Sequence, residues 1–136
     1  MPAPSAILET ALYSTDLARA RRFWTDIIGL EVVTQKEGRH VFFRCGTAML
    51  LIFDPRATAR SDSDRGPGHL AHGATGPGHV CFAPSDAEIS KWRATFDAQG
   101  IEIEDDFHWP NGARSLYIRD PDGNSVEFAE PRLWGF

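Results

Sequence analysis

The two halves of this sequence repeat one order of predicted elements, and this repeat limits the possible folds more than any other feature. The first half opens with a strand-like run over 7–13, followed by a helical stretch that Gly29 ends. The second half opens with a strand-like run over 77–83, followed by a helical stretch that Gly100 ends. Three further strand-like runs complete each half. The repeated unit is therefore predicted to be strand, helix, strand, strand, strand.

Local chemistry supports this assignment. Thr15 or Asp16 is suited to cap the first helix, and Ser85 or Asp86 the second, because their side-chain oxygens can accept from free backbone N–H groups. Apolar residues recur at spacings of three and four in both helices. The other runs alternate or are rich in β-branched and aromatic residues, which favours strands. The segment 120–123, Asp-Pro-Asp-Gly, predicts a turn between the last two strands.

The length of 136 residues predicts a single domain. We place the first module at about 5–55, a linker loop at about 56–77 and the second module at about 78–131. Each module has one helix to cover one face of its sheet, so the other face is free to line a cavity. Leu8 and Leu12 are expected to pack beneath the first helix.

Composition excludes several classes of partner. The formal net charge is -5 and Lys and Arg form no cluster, so we expect no nucleic-acid partner. No apolar run approaches the roughly 18 residues that span a bilayer, and the N-terminus lacks the features of a signal peptide. We therefore expect a cytoplasmic protein without a membrane partner. Cys45 and Cys81 form no C-x-x-C pair, and buried reduced thiols are expected.

Two glutamates lie within otherwise apolar strands. Glu9 and Glu127 both need compensation if they are buried, because an unpaired carboxylate is costly to remove from water. One interpretation is that they face water or pair with arginines, for which the candidates are Arg39, Arg44, Arg114 and Arg119. The repeat suggests another interpretation, because a shift of 70 residues places Glu9 on His79. Equivalent first strands would then bring both side chains towards one axis.

At this point the sequence resembles the vicinal oxygen chelate superfamily, which includes glyoxalase I, extradiol dioxygenases, fosfomycin-resistance enzymes and bleomycin-resistance proteins. The resemblance extends from Ile7 to Pro131. Its most specific parts are Ser-Thr-Asp-Leu-Ala-Arg-Ala-Arg-Arg-Phe-Trp over 14–24, Gly-His-Val-Cys-Phe-Ala over 78–83, and Arg-Asp-Pro-Asp-Gly-Asn-Ser-Val-Glu-Phe over 119–128. It implies an α+β fold in which two tandem βαβββ modules form a curved eight-stranded mixed sheet around a metal cavity.

The resemblance also implies a metal site. In the family, the first and fourth strands of each module supply the ligands, and these positions match Glu9, His79 and Glu127. The remaining position falls at about Leu51, which cannot bind a metal. An oxygen-rich set of three ligands suits one divalent ion, which is Mn, Mg, Fe, Ni or Zn. A zinc site formed by His69, His72 and His79 is a weaker alternative.

Other residues are candidates for substrate contact by their position on strands or in the linker. They are Tyr13, Arg39, Met49, Leu51, Phe53, His72, Cys81, Arg114 and Tyr117. Arg39 and Arg114 lie near strand starts, where either could hold an anionic substrate. Residues with a direct catalytic role are not assigned.

The resemblance favours a metal-dependent enzyme that chelates a small substrate through adjacent oxygens. A lyase or isomerase of glyoxalase type is preferred over a dioxygenase or an epoxide-opening transferase. The alternative is a non-catalytic protein that sequesters a drug, of the bleomycin-resistance type. A homodimer is expected in either case, and Glu9 can come from a different subunit than the other two ligands.

Overall fold

The computed structural model describes residues 2–60 and 65–136. The chain divides into two compact units, Met1–Gly76 and Pro77–Phe136. Within the described residues, no helix has the length and apolar character needed to cross a membrane.

The first unit contains one four-stranded sheet with a helix on one face. Its elements in chain order are β1 (Glu9–Tyr13), α1 (Leu17–Arg22) continued by one π-helical turn (Phe23–Ile27), β2 (Glu31–Lys36), β3 (His40–Cys45), β4 (Ala48–Phe53) and the single-turn helix α2 (Pro55–Thr58). The strand order is β1-β4-β3-β2, and β1 runs parallel to β4 while the other neighbours are antiparallel. Trp24 and Phe43 are fully buried between helix and sheet.

The second unit repeats this topology. Its elements are β5 (His79–Phe82), α3 (Asp86–Ala98), β6 (Asp105–His108), β7 (Arg114–Arg119), β8 (Ser125–Ala129) and a final 3-10 turn (Pro131–Trp134). The strand order is β5-β8-β7-β6, with β5 parallel to β8. Ile89 and Phe96 of α3 are fully buried, as are Leu116 and Val126 of the sheet. The α+β class and the two βαβββ modules are thus confirmed, and the eight strands are hydrogen-bonded as two four-stranded sheets.

The predicted caps hold both helices. Asp16 accepts a hydrogen bond from the Arg19 backbone N–H at 3.0 Å. Ser85 and Glu88 form a reciprocal capping box at the start of α3. The Asp120 carboxylate accepts from the Asn124 backbone N–H at 2.8 Å and so closes the predicted turn.

Two expectations about the first unit are wrong. Leu8 is 70% exposed rather than packed under α1. The reason is that Leu8 lies just before β1, whereas Leu12, inside that strand, is only 4% exposed. The start of the segment predicted to be a structureless linker is also helical: Asp54 caps α2 by accepting from the Arg56 N–H at 2.9 Å, and Pro55 occupies the first helical position.

Candidate functional site

The second unit brings His79 and Glu127 together on the sheet face opposite α3. His79 is the first residue of β5, and Glu127 lies at the centre of the neighbouring strand β8. Their side chains meet with His79 Nε2 3.2 Å from Glu127 Oε2. Glu127 is only 6% exposed, whereas His79 is exposed, so the pair has a buried acidic end and an open imidazole end.

Hydrogen bonds fix the orientation of both side chains. The Ser115 hydroxyl donates to Glu127 Oε1 at 2.7 Å, and the indole N–H of Trp109 donates to that hydroxyl oxygen at 2.7 Å. On the other side, His79 Nδ1 lies 3.0 Å from the Ser125 hydroxyl. This contact directs Nε2 towards Glu127. Outer contacts of this kind set the orientation of the side chains that bind metals.

Tyr117 and Cys81 surround the pair on the same face. The pKa of Tyr117 is raised by burial and by the adjacent Glu127 carboxylate. The surrounding protein also partly removes the Cys81 thiol from water, and together with Glu127 this raises its pKa to about 12. Both groups therefore keep their protons at neutral pH. Cys81 as a residue is exposed, so the prediction of a buried thiol is wrong for it, because β5 turns this side chain away from α3.

The first unit has a cavity of about 480 Å³ on the corresponding face of its own sheet. Five of the predicted residues line it, together with loop residues from Gly68 to His72. These five are Glu9, Arg39, Leu51, Phe53 and His72. The loop is held over the sheet because the Tyr13 hydroxyl lies 2.8 Å from His72 Nδ1 and the His72 N–H donates to the Thr58 carbonyl at 2.8 Å.

The strand registers relate the two faces. Leu51 stands opposite Ala11 in the first sheet as Glu127 stands opposite Cys81 in the second. Leu51 thus occupies the place in its sheet that Glu127 has in the other. Met49 is paired in register with Glu9, which puts it near the start of β1.

Arg114 does not belong with this group. Its guanidinium binds Asp106 through two hydrogen bonds of 2.8 and 2.9 Å and also contacts Ser90 of α3. It therefore lies on the helix-covered face, and we leave it out of the proposed site. Arg44 and Arg119 were also candidate partners for Glu9 and Glu127. In the structure they bind other carboxylates: Arg44 pairs with Glu31 and Arg119 with Glu104.

The alternative zinc site draws His69 and His72 from the first unit and His79 from the second, and it stays a prediction. His69 Nδ1 contacts the Gly66 carbonyl oxygen, while the contacts of His72 and His79 are those described above. Among residues 2–60 and 65–136, no three His, Cys, Asp or Glu side chains gather closely enough to hold a metal ion. The second unit therefore supplies two adjacent donors rather than a complete set.

Sequence reasoning missed the residues that support Glu127. Ser115 and Ser125 lie two positions before Tyr117 and Glu127 on their strands, so strand alternation alone could have placed them on the same face. Trp109 precedes β7 and reaches Ser115 across the turn that Pro110-Asn111-Gly112 signals. The sequence does not indicate which side chain the indole N–H meets.

The comparisons with known proteins agree with this fold. The glyoxalase/bleomycin resistance protein/dioxygenase superfamily profile matches residues 6–128, and the chain belongs to this superfamily. A lactoylglutathione lyase from Agrobacterium tumefaciens is 50% identical, with a TM-score of 0.93 over 98% of this chain and 99% of that one. The resemblance inferred from the sequence is therefore confirmed.

More distant structures share the fold alone. A glyoxalase/bleomycin resistance protein/dioxygenase from Nocardioides is 22% identical, with a TM-score of 0.71 over 96% of this chain and 85% of that one. An integron cassette protein from the Halifax Harbour sewage outfall metagenome is 19% identical, with a TM-score of 0.73 over 93% and 99% of the two chains. A search of curated proteins gave no significant match.

Proposed function

We propose that this chain is a divalent-metal-dependent lyase or isomerase of glyoxalase type that acts on a small substrate with two adjacent oxygens. The observation that carries the proposal is the buried Glu127 carboxylate facing His79 Nε2, with both side chains held by outer hydrogen bonds. The lyase that is 50% identical to this chain supports the reaction type.

The pair fits a metal by its donor chemistry and its spacing. Two ligands about 2.1 Å from one ion lie roughly 3.0–3.4 Å apart when they subtend an angle between about 90 and 109°. The observed 3.2 Å separation falls in this interval. Glu9, from this chain or from a second copy in a homodimer, is the proposed third ligand. Mn, Mg, Fe, Ni and Zn are the candidate ions.

Each nearby side chain then has a defined task. Ser115 and Ser125 hold the two ligands in their rotamers, and Trp109 holds Ser115. Tyr117 remains protonated beside the pair and can donate a hydrogen bond to an oxygen on which negative charge develops. A bound divalent ion would polarise the substrate oxygens as a Lewis acid.

The test is metal analysis combined with turnover. Protein stripped with a chelator is reloaded with each candidate ion, desalted, and assayed for metal content and for reaction with lactoylglutathione. This compound is the first choice because it is named by the relative that is 50% identical to this chain, and its lactoyl group carries oxygens on adjacent carbons. We expect near-stoichiometric metal and activity that returns with one ion.

Three variants sharpen the result. A chain with both His79→Ala and Glu127→Gln should lose metal and activity. Ser115→Ala should weaken metal binding by roughly 10–100-fold, because it removes only an outer contact. Glu104→Gln is the control, since Glu104 is an exposed partner of Arg119. Metal binding that survives the double substitution contradicts the proposal. The proposal is also contradicted if the protein binds a ligand equally well in the presence of a chelator and does not turn it over.

A further inference from the structure

The cavity of the first unit contains a buried positive charge. Arg39 precedes β3 and is 8% exposed, yet it lines this space of about 480 Å³. Its Nη1 donates to the Ala57 carbonyl oxygen at 3.2 Å. Within the part of the chain that the structure describes, no carboxylate forms an ion pair with this guanidinium.

This arrangement differs from the other shielded arginine. Arg114 is also largely removed from water, and Asp106 satisfies it with a bidentate ion pair. With one hydrogen bond to a neutral carbonyl and no ion pair among the described residues, the Arg39 guanidinium keeps N–H donors available to a group in the cavity. Because the remaining neighbour of Arg39 is an open cavity, an anion entering that cavity would supply the missing partner.

We propose that this cavity binds the carboxylate of a small organic acid through Arg39, with the apolar body of the acid against Phe42, Phe53 and Leu51. The planar guanidinium fork matches a carboxylate in a bidentate geometry. The three apolar side chains form the adjoining wall, where Phe42 and Phe53 meet edge to face at a centroid distance of 5.2 Å.

The charge of the wall favours a monoanion. Arg39 is the one lysine or arginine among the described residues that line the cavity, and the Glu9 carboxylate lies in the same wall. His40 also lines it, and burial together with the charges of Arg39, Lys36 and Arg65 lowers its pKa, so it stays neutral at pH 7. A phosphate ester with two negative charges would therefore meet one cation and one repelling carboxylate.

This inference rests on the proposed function in one respect, because Glu9 is both a cavity residue and the proposed third metal ligand. An acid held at Arg39 would present the rest of the molecule near Glu9. The substrate class that follows is a carboxylic acid with an apolar or aromatic body and two adjacent oxygens.

Binding of three probes to the full chain tests the inference. Benzoate, benzyl alcohol and phenyl phosphate share a phenyl ring and differ in charge. Affinities are measured by calorimetry or ligand-observed NMR, with chelator-treated and with manganese-loaded protein. We expect benzoate to bind at least about tenfold more tightly than benzyl alcohol, as the loss of a charged hydrogen-bonded pair predicts. Phenyl phosphate should bind more weakly than benzoate.

Matched variants assign the effect to Arg39. Arg39→Gln should abolish the preference for benzoate, whereas Arg44→Gln should leave it unchanged, because Arg44 is an exposed arginine of β3 that pairs with Glu31. Should Arg39→Gln fail to fold, Leu51→Phe narrows the cavity from another wall and should weaken benzoate and benzyl alcohol alike.

Three outcomes would overturn the inference: equal affinity for benzoate and benzyl alcohol, unchanged benzoate binding in the folded Arg39→Gln chain, or tighter binding of phenyl phosphate. The Glu127→Gln chain separates this result from the proposed function. Suppose that the Glu127→Gln chain still binds benzoate and that the wild-type chain shows no metal-dependent turnover. This result supports the carboxylate site and contradicts the proposed enzymatic function.

Discussion

At the scale of single residues, the chemistry of the second unit depends on how Glu127 is surrounded. Its carboxylate is almost fully buried but is met by hydroxyl and imidazole groups rather than by a guanidinium. An arginine would have neutralised the carboxylate permanently. A histidine can instead bind a cation together with the carboxylate, because imidazole is itself a common metal ligand.

The Cys81 thiol gives a test of this charge. Its pKa of about 12, raised first by burial and then by Glu127, leaves little thiolate at pH 8. We expect iodoacetamide to alkylate Cys81 roughly 100-fold more slowly than an unperturbed cysteine, measured by mass spectrometry on metal-free Cys45→Ser protein. Glu127→Gln should lower the pKa and raise the rate, while Glu104→Gln should change neither. Alkylation at the ordinary rate would contradict the assigned environment.

At the scale of elements, one ion-pair cluster joins α3 to the edge of the second sheet. Asp106 of β6 binds Arg114 of β7 and also accepts from Arg93 of α3 at 2.6 Å. The hydrogen bonds from Arg114 are the main reason why the pKa of Asp106 falls to about 2. Besides the backbone pairing of β6 with β7, this cluster attaches the four-residue strand to α3.

This cluster predicts a pH-dependent stability. The pKa of Asp106 is lower in the folded chain than the ordinary value of 3.8, so its contribution is complete above about pH 4 and is lost as pH falls towards 2. Asp106→Asn should lower the free energy of unfolding by about 1–3 kcal/mol at pH 7, because it leaves Arg114 without its anion. The difference from wild type should shrink as pH approaches 2, as measured by denaturant titration.

The control for this prediction is Asp97→Asn. Asp97 pairs with Arg93 along the exposed side of α3, and such surface pairs contribute less than about 1 kcal/mol. If the difference in the free energy of unfolding between wild type and Asp106→Asn stays constant between pH 7 and pH 2, the ionised carboxylate is not the source of that difference.

At the scale of the whole molecule, the two units share one topology but carry different functional side chains. The two sheets have the same strand order, yet Leu51 stands where the second unit has Glu127, and Glu9 stands where it has His79. The first unit has a cavity lined by Arg39, and the second unit has an adjacent pair of donors. Among the residues that the structure describes, neither unit gathers three metal ligands by itself.

Mixing two inactive variants tests whether subunits share the proposed metal site. If Glu9 joins His79 of a second copy, a mixed dimer of Glu9→Gln and His79→Ala chains contains one intact site, and about half of the wild-type activity per site pair should return. If both ligands come from one chain, the mixed dimer stays inactive. Differently tagged chains, purified as the mixed species, make the measurement, and sedimentation confirms the dimer.

Much of this architecture could be predicted from the sequence because it depends on local chemistry. Helix caps such as Ser85 and turns such as that after Asp120 involve atoms within about four residues of each other. Strand alternation likewise assigns His79 and Glu127 to one face with no knowledge of distant contacts. The superfamily assignment follows from the same local patterns repeated twice.

Other features depended on contacts between residues distant in the chain. Trp109 supports Glu127 only because a turn and the β7–β8 register bring it to Ser115. Arg39 lacks a carboxylate partner among the described residues because folding buries it beside a cavity, whereas Arg114 meets Asp106 across two strands. The sequence by itself determined the order of elements and the chemistry available on each face. Only the tertiary structure decided which charges were paired, because long-range register and packing set the distance between side chains that the sequence separates.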